Sequence, residues 1–171
     1  MKQNYYFLVI LLSIISSCQK ESEIPTLPPI TMEGKNIMAC KINGELFISK
    51  GVPTYLNNLG VTFGRYLNSD NSRFYRIYAN VNKPYHSISL YLYDYNSKDT
   101  LYFGGDANLN EAKYYNDVNY GNTYRTHSNV SGKLIILKDD IDIISGTFEF
   151  EAVNEWYDTV KVTEGRFDIK K

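Results

Sequence analysis

Histidine, cysteine and tryptophan are scarce in this chain, at two, two and one among 171 residues. His86 and His127 lie far apart, and neither has a cysteine or second histidine at ligand spacing, so no zinc site is expected. Cys18 and Cys40 are too few for a disulfide framework. An excess of either charge is also missing: 18 Lys+Arg stand against 19 Asp+Glu. That balance argues against a nucleic-acid partner, which needs a basic face. No G-x-S-x-G or P-loop pattern occurs. No stretch carries a sustained, capped 3.6-residue apolar stripe, and no apolar run reaches the roughly 20 residues of a membrane-spanning helix.

What is present begins at the N-terminus. Lys2 precedes an apolar run from Tyr5 to Ile15, broken only by Ser13. This has the form of a signal-peptide core. Ile15-Ser16-Ser17-Cys18 follows and resembles the lipobox of bacterial lipoproteins. Two small residues suit a narrow peptidase groove, and the cysteine thiolate is the nucleophile a lipid donor alkylates. The resemblance implies a diacylglyceryl thioether on Cys18 and removal of residues 1–17. One acyl chain binds a membrane with K of only about 10⁴ M⁻¹, whereas two or more hold stably. Gln19-Lys20-Glu21-Ser22-Glu23 resembles the acidic surface-export signal of Bacteroidota lipoproteins, and a solvated charged linker explains it equally. Outer-membrane attachment is expected, with the balance leaning toward the outer, surface-exposed face.

Residues 18–35 contain Pro25, Pro28 and Pro29, show no apolar period, and read as a flexible tether. Fully extended, it would reach about 60 Å. A single domain of residues 36–171 follows, large enough for a real core. Met38, Cys40 and Ile42 alternate with Ala39 and Lys41 before Asn43-Gly44, a type I′ hairpin signal. Val61 to Tyr66 form another strand, closed by the turn Asn68 to Ser72. Tyr75, Ile77, Ala79 and Val81 alternate with Arg76, Tyr78 and Asn80, and Ile88, Leu90 and Leu92 alternate with Ser89, Tyr91 and Tyr93. Shorter strands are expected at Thr100–Phe103, Glu111–Tyr115 and Thr123–Thr126. Lys133 to Lys138, the Ile144–Ala152 segment and Val160 to Ile169 complete an all-β domain, an antiparallel β-sandwich or a partly closed barrel-like sheet.

Two breaks of parity predict β-bulges. Val160 and Val162 share a parity that Phe167 and Ile169 break, which places one extra residue at Glu164-Gly165, with glycine taking the left-handed conformation. Ile141 and Ile143 against Ile144 and Phe148 place another near Ser145-Gly146.

Met38 to Phe47, together with Ser145-Gly146-Thr147-Phe148-Glu149-Phe150 and Val160-Lys161-Val162-Thr163-Glu164-Gly165-Arg166-Phe167, resembles a family of small uncharacterised Bacteroidota cell-envelope lipoproteins. Their tail carries S-G-T-F-x-F and V-x-V-T-x-G-x-F motifs. Phe47 stands where that family has tryptophan. The resemblance implies the location and the β fold; the motifs are turn, bulge and core positions, and they imply no catalysis.

Candidate sites are few. Cys40 sits among apolar neighbours and reads as an inert buried thiol. Asp94-Tyr95-Asn96-Ser97-Lys98-Asp99 lacks the glycine and late glutamate of a calcium loop and reads as a solvated turn. Asp139, Asp140 and Asp142 read as a charged hairpin connection. The 16 tyrosines are the feature with functional colour. Tyr91, Tyr93 and Tyr95 share the expected outward face of one strand, while Tyr114, Tyr115, Tyr120 and Tyr124 cluster further on. Aromatic faces stack on sugar C–H faces, so Tyr91, Tyr93 and Tyr95 are candidate ligand-binding residues; tyrosine also fills half-buried cross-strand pairs. The expected function is a membrane-anchored, non-enzymatic envelope lipoprotein with a structural or protein-contact domain. The alternative is a surface glycan- or ligand-binding module. No cofactor or metal is expected, and the partners are the membrane through Cys18 and an envelope protein or glycan.

Overall fold

The computed structural model describes residues 25–171 apart from Lys83, Asp94, 96–99, 106–109 and 118–121. Cys18 therefore lies outside the described residues, as do Tyr120 and all of the 94–99 stretch except Tyr95. None of the described residues is helical.

The strands are β1 (Ile37–Ile42), β2 (Glu45–Lys50), β3 (Gly60–Leu67), β4 (Arg73–Asn82), β5 (Tyr85–Leu92), β6 (Thr100–Phe103), β7 (Glu111–Tyr115), β8 (Thr123–Arg125), β9 (Gly132–Asp139), β10 (Ile143–Val153) and β11 (Thr159–Lys170). Their antiparallel ladder runs β2-β1-β11-β10-β8-β7-β5-β4-β3. Along β10 the outer edge is shared, first by β9, which also carries β6, and then by β8 at Val153. The sheet curls until β2 and β3 meet, which decides for the barrel over the sandwich. The seam between them has no ladder and is stitched instead. Val61 N–H donates to Gly51 O at 2.9 Å, and the Ser49 hydroxyl of β2 donates to Asn80 O of β4 at 2.8 Å, while the Asn80 side chain accepts from its β3 partner Gly60 N–H at 3.1 Å.

The alternating residues fill the interior. Met38, Cys40, Phe47, Ile77, Ile88, Leu90, Leu92, Leu134, Ile144, Phe148, Phe150, Val162, Phe167 and Ile169 are buried together. Each fully buried side chain of this size stabilises the fold by about 1.5–3 kcal/mol. Asn43 and Gly44 take φ of 49° and 90°, as the type I′ turn requires.

The bulge expected in β11 exists, with details that differ from expectation, and the one expected in β10 falls instead in the facing strand. In β11 the register against β10 steps from Phe148↔Gly165 to Phe150↔Val162, so the extra residue lies at Thr163–Glu164. The left-handed residue is Glu164, at φ 53°, and not Gly165. Gly165 is required for space, since a Cβ there would stand 2.4 Å from Phe148 O. The second bulge lies opposite Ser145-Gly146, but its extra residue is Leu137 in β9. β10 keeps one parity throughout, so Ile143 stays on the outside, and Ile141 is 92% exposed.

Residues 25–35 form no strand and bend at Glu33–Gly34, where Gly34 takes φ 74°, and they do not hang free as a flexible tether would. The Asp168 carboxylate accepts the Thr31 hydroxyl at 2.6 Å, the Glu33 N–H at 3.0 Å and the Gly34 N–H at 2.7 Å. Arg166 donates to Pro28 O at 3.0 Å, and Lys138 to Met32 O at 3.3 Å. The segment is a strap along the outside of β11. The free reach is correspondingly shorter than full extension of residues 19–35 suggests, because bonded backbone cannot also extend.

Candidate functional site

The aromatic side chains outside the barrel derive from strand parity. On β3, β4, β5 and β7 the inward positions carry the core, so Tyr66, Phe74, Arg76, Tyr78, Ser89, Tyr91 and Lys113 face out. The register aligns them into rows. Tyr66 sits opposite Phe74, Arg76 opposite Tyr91, and Tyr78 opposite Ser89 and then Lys113. Phe74 is the hub. Its ring centroid is 5.4 Å from Tyr66, 5.2 Å from Tyr93 and 5.9 Å from Tyr91, while Tyr91 and Tyr93 stack at 6.4 Å.

Cations are threaded through this layer. The Arg76 guanidinium stands 5.0 Å from the centroids of both Tyr66 and Tyr78. Its burial works against the charge, but the Tyr91 and Tyr66 hydroxyls beside it more than offset that and hold the guanidinium protonated above its usual range. No carboxylate pairs with it among the described residues, and its Nε is buried without a partner. Lys113 lies 4.7 Å over the Tyr91 ring and pairs with Glu111 at 2.8 Å. Burial, then the Glu111 charge, pushes the Tyr93 phenol up.

Tyr91 and Tyr93 thus lie together on the outside, as expected, and Tyr95 does not join them. β5 ends at Leu92 and the chain turns at Tyr93, whose N–H donates to Asn110 at 2.9 Å. Past that turn the parity no longer holds. Tyr95 packs edge-on against Tyr75 at 5.0 Å and Phe63 at 6.3 Å, in contact with the core. Its hydroxyl donates to Asp139, which also holds Lys171. Burial and then Asp139 push the Tyr95 phenol well above its usual range.

The other candidates resolve into structural parts. Cys40 is fully buried, and burial, only partly offset by the Arg166 charge, drives its thiol far above the usual range. Its thiolate is thereby suppressed. His86 stacks on Tyr114 at 5.7 Å and its Nδ1 meets the Tyr114 hydroxyl at 2.6 Å. Burial lowers the imidazole and pushes the phenol up to about 12. Tyr114 and Tyr124 pack inside, whereas Tyr115 faces out. Asp140 accepts the backbone N–H groups of Asp142 and Ile143 at 2.9 and 2.8 Å and so closes the β9–β10 turn. Among the described residues no three His, Cys, Asp or Glu side chains converge as metal ligands.

Two hollows deserve description. One of about 490 Å³ lies beside Tyr93 and is lined by Asn68, Gly105, Asn110, Glu111 and His127. Another of about 440 Å³ lies between Arg125, His127, Asn154, Glu155 and Trp156. Phe74, Tyr66 and Arg76 escape a reading of single strands. The Asn68–Ser72 turn would have found them, because a hairpin closed there pairs Tyr66 with Phe74.

The profile of a family described as a domain of unknown function, DUF6252, matches residues 65–168. The match begins within β3 and ends within β11, so it leaves out β1 and β2 although their side chains complete the core. No curated protein and no solved structure matches the chain.

Proposed function

The chain belongs to the DUF6252 family, a domain of unknown function, and we propose that it is a lipid-anchored cell-envelope lipoprotein whose barrel has a structural or protein-contact role and no catalytic one. The observation that carries this is the apolar run Tyr5–Ile15 ending in Ile15-Ser16-Ser17-Cys18. The location that goes with it is an outer membrane of the Bacteroidota type, with the acidic Glu21 and Glu23 after the cysteine favouring the outer face. The barrel's chemistry supports a non-enzymatic role: its cysteine is buried, His86 is engaged by Tyr114, and its outer rings stack on one another.

Detergent phase separation tests the anchor. The mature protein is expected in the detergent phase, and Cys18→Ser expressed without the apolar residues 1–17 in the aqueous phase. Equal partition of the two would end the proposal.

The stacked face favours a second reading, a glycan-binding module. Tyr66 keeps 38% of its surface exposed beside Arg76 and the Tyr91–Tyr93 pair. Binding on a glycan array that is lost in Tyr91→Ala with Tyr93→Ala would select it.

A further inference from the structure

Trp156 and Tyr157 form the tip of the β10–β11 hairpin and are 65% and 87% exposed. Nothing in their own turn requires them to be aromatic, because Asn154 builds it. Its carbonyl oxygen Oδ1 accepts the N–H groups of Trp156 at 3.0 Å and Asp158 at 2.8 Å, and its Nδ2 donates to Asn122 and Asp158 at 3.0 Å each. Tyr157 is held at φ 66°, a conformation that an aromatic residue adopts at a cost. The turn is therefore firm, and it presents an indole and a phenol outward.

The tip also lies at the end of the barrel where the strap begins. Pro25, Thr26 and Leu27 lie against Lys41, Gly44, Glu45, Leu46 and Glu164. Asn43, in the same β1–β2 hairpin, exchanges bonds with Lys161 of β11: Asn43 N–H to Lys161 O at 2.9 Å and Lys161 N–H to Asn43 Oδ1 at 2.8 Å. β11 begins at Thr159, two residues before Lys161, so at about 3.3 Å per residue the strand carries the turn that holds the tip about 7 Å past that hairpin. Only seven residue steps separate Pro25 from Cys18, and these span at most about 25 Å. A lipid on Cys18 thus holds this end, and not the opposite one, within reach of the membrane.

Indole and phenol groups favour the headgroup layer, where the ring is sheltered and the N–H or O–H stays wet. We propose that this end of the barrel faces the lipid surface, with Trp156 and Tyr157 seated among the headgroups. The proposal rests on acylation of Cys18. Glu155 and Asp158 flank the pair and are exposed, so the attraction is interfacial, without help from anionic lipid.

Trp156 is the single tryptophan, so its fluorescence reads this site alone. Acylated full-length protein is reconstituted in phosphatidylcholine vesicles with and without brominated lipid, and the same Cys18→Ser protein, without residues 1–17, is kept in solution as reference. The expected result is flotation with the vesicles, emission shifted to the blue of the reference, and quenching by the brominated lipid. Flotation with unshifted, unquenched emission would overturn the orientation while leaving the anchor intact. Failure to float would remove the anchor and the orientation with it. A blue shift in lipid-free Cys18→Ser that grows with protein concentration would seat the tip against a second copy and would also overturn the proposal.

Discussion

The outside of one continuous sheet is covered in two ways. Over β11, β10 and the neighbouring β1 the chain itself does the covering, and positions that strand parity sends outward are sealed: Ala39 of β1 and Ser145 of β10 are 0% exposed and Asp168 of β11 is 1% exposed. Over β3, β4 and β5 no comparable strap is bonded among the described residues, and large rings lie on one another and on Arg76. The difference is one of chemistry. A strap brings backbone N–H groups that need an acceptor, and the buried carboxylate of Asp168 supplies it. The outer face of β3–β5 is covered instead by flat amphipathic side chains, which leave the Arg76 Nε and Ser87 Oγ beneath them buried without a partner.

The comparison can be broken most sharply at Asp168. Asp168→Ala leaves the Thr31 hydroxyl and the Glu33 and Gly34 N–H groups without their acceptor, and a loss of about 3 kcal/mol in denaturant unfolding is expected. Faster hydrogen exchange at Glu33 and Gly34 should accompany it. A loss no greater than that of a surface substitution would mean the strap does not bind. Acid is the next lever. Burial pushes the Asp168 carboxyl up, but the Thr31 hydroxyl and the Glu33 and Gly34 amides outweigh it and hold the group below its usual range. A depressed carboxyl contributes stability that is complete above the ordinary value of about 3.9 and is lost as pH falls through the folded value. The stability gap between wild type and Asp168→Asn should therefore be full at neutral pH and shrink below about pH 4.

On the other face the expected effects are smaller. Tyr91→Ala with Tyr93→Ala should cost about 1–2 kcal/mol, because half-buried rings lose stacking without opening a sealed cavity. A cost above that of Asp168→Ala would reverse the ranking of the two coverings. Trp156→Ala, which touches neither, should change stability by less than about 0.5 kcal/mol in the same assay.

Much of this was legible in the chain. Side chains alternate faces with period two in a strand, so the core residues of β1, β4, β5 and β11 could be named from parity alone. The Asn43-Gly44 turn follows from the need for positive φ. The β11 bulge was visible as a parity break, one residue away from where it was expected: at Thr163–Glu164 and not at Glu164–Gly165. The break expected between Ile143 and Ile144 was not one, because β10 keeps a single parity, and the extra residue opposite it, Leu137 in β9, leaves no mark on the parity of β10. Tyr95 was misplaced because its parity was carried three residues beyond the end of its strand.

The outer face was half legible. Tyr91 and Tyr93 follow from one strand, but Phe74, Tyr66, Arg76 and Lys113 join them only through the register of three others. The strap was not legible at all, since Asp168 and Thr31 are separated by almost the whole domain and nothing local to either marks the other. Local pattern therefore determined by itself that this protein is all-β, which side chains fill it, and that a lipobox-like segment precedes it, because alternation and turn chemistry act between near neighbours. Tertiary structure alone decided that the sheet closes to a stitched seam, that residues 25–35 lie along it, and which aromatic rings meet outside, because each depends on contacts between segments distant in the chain.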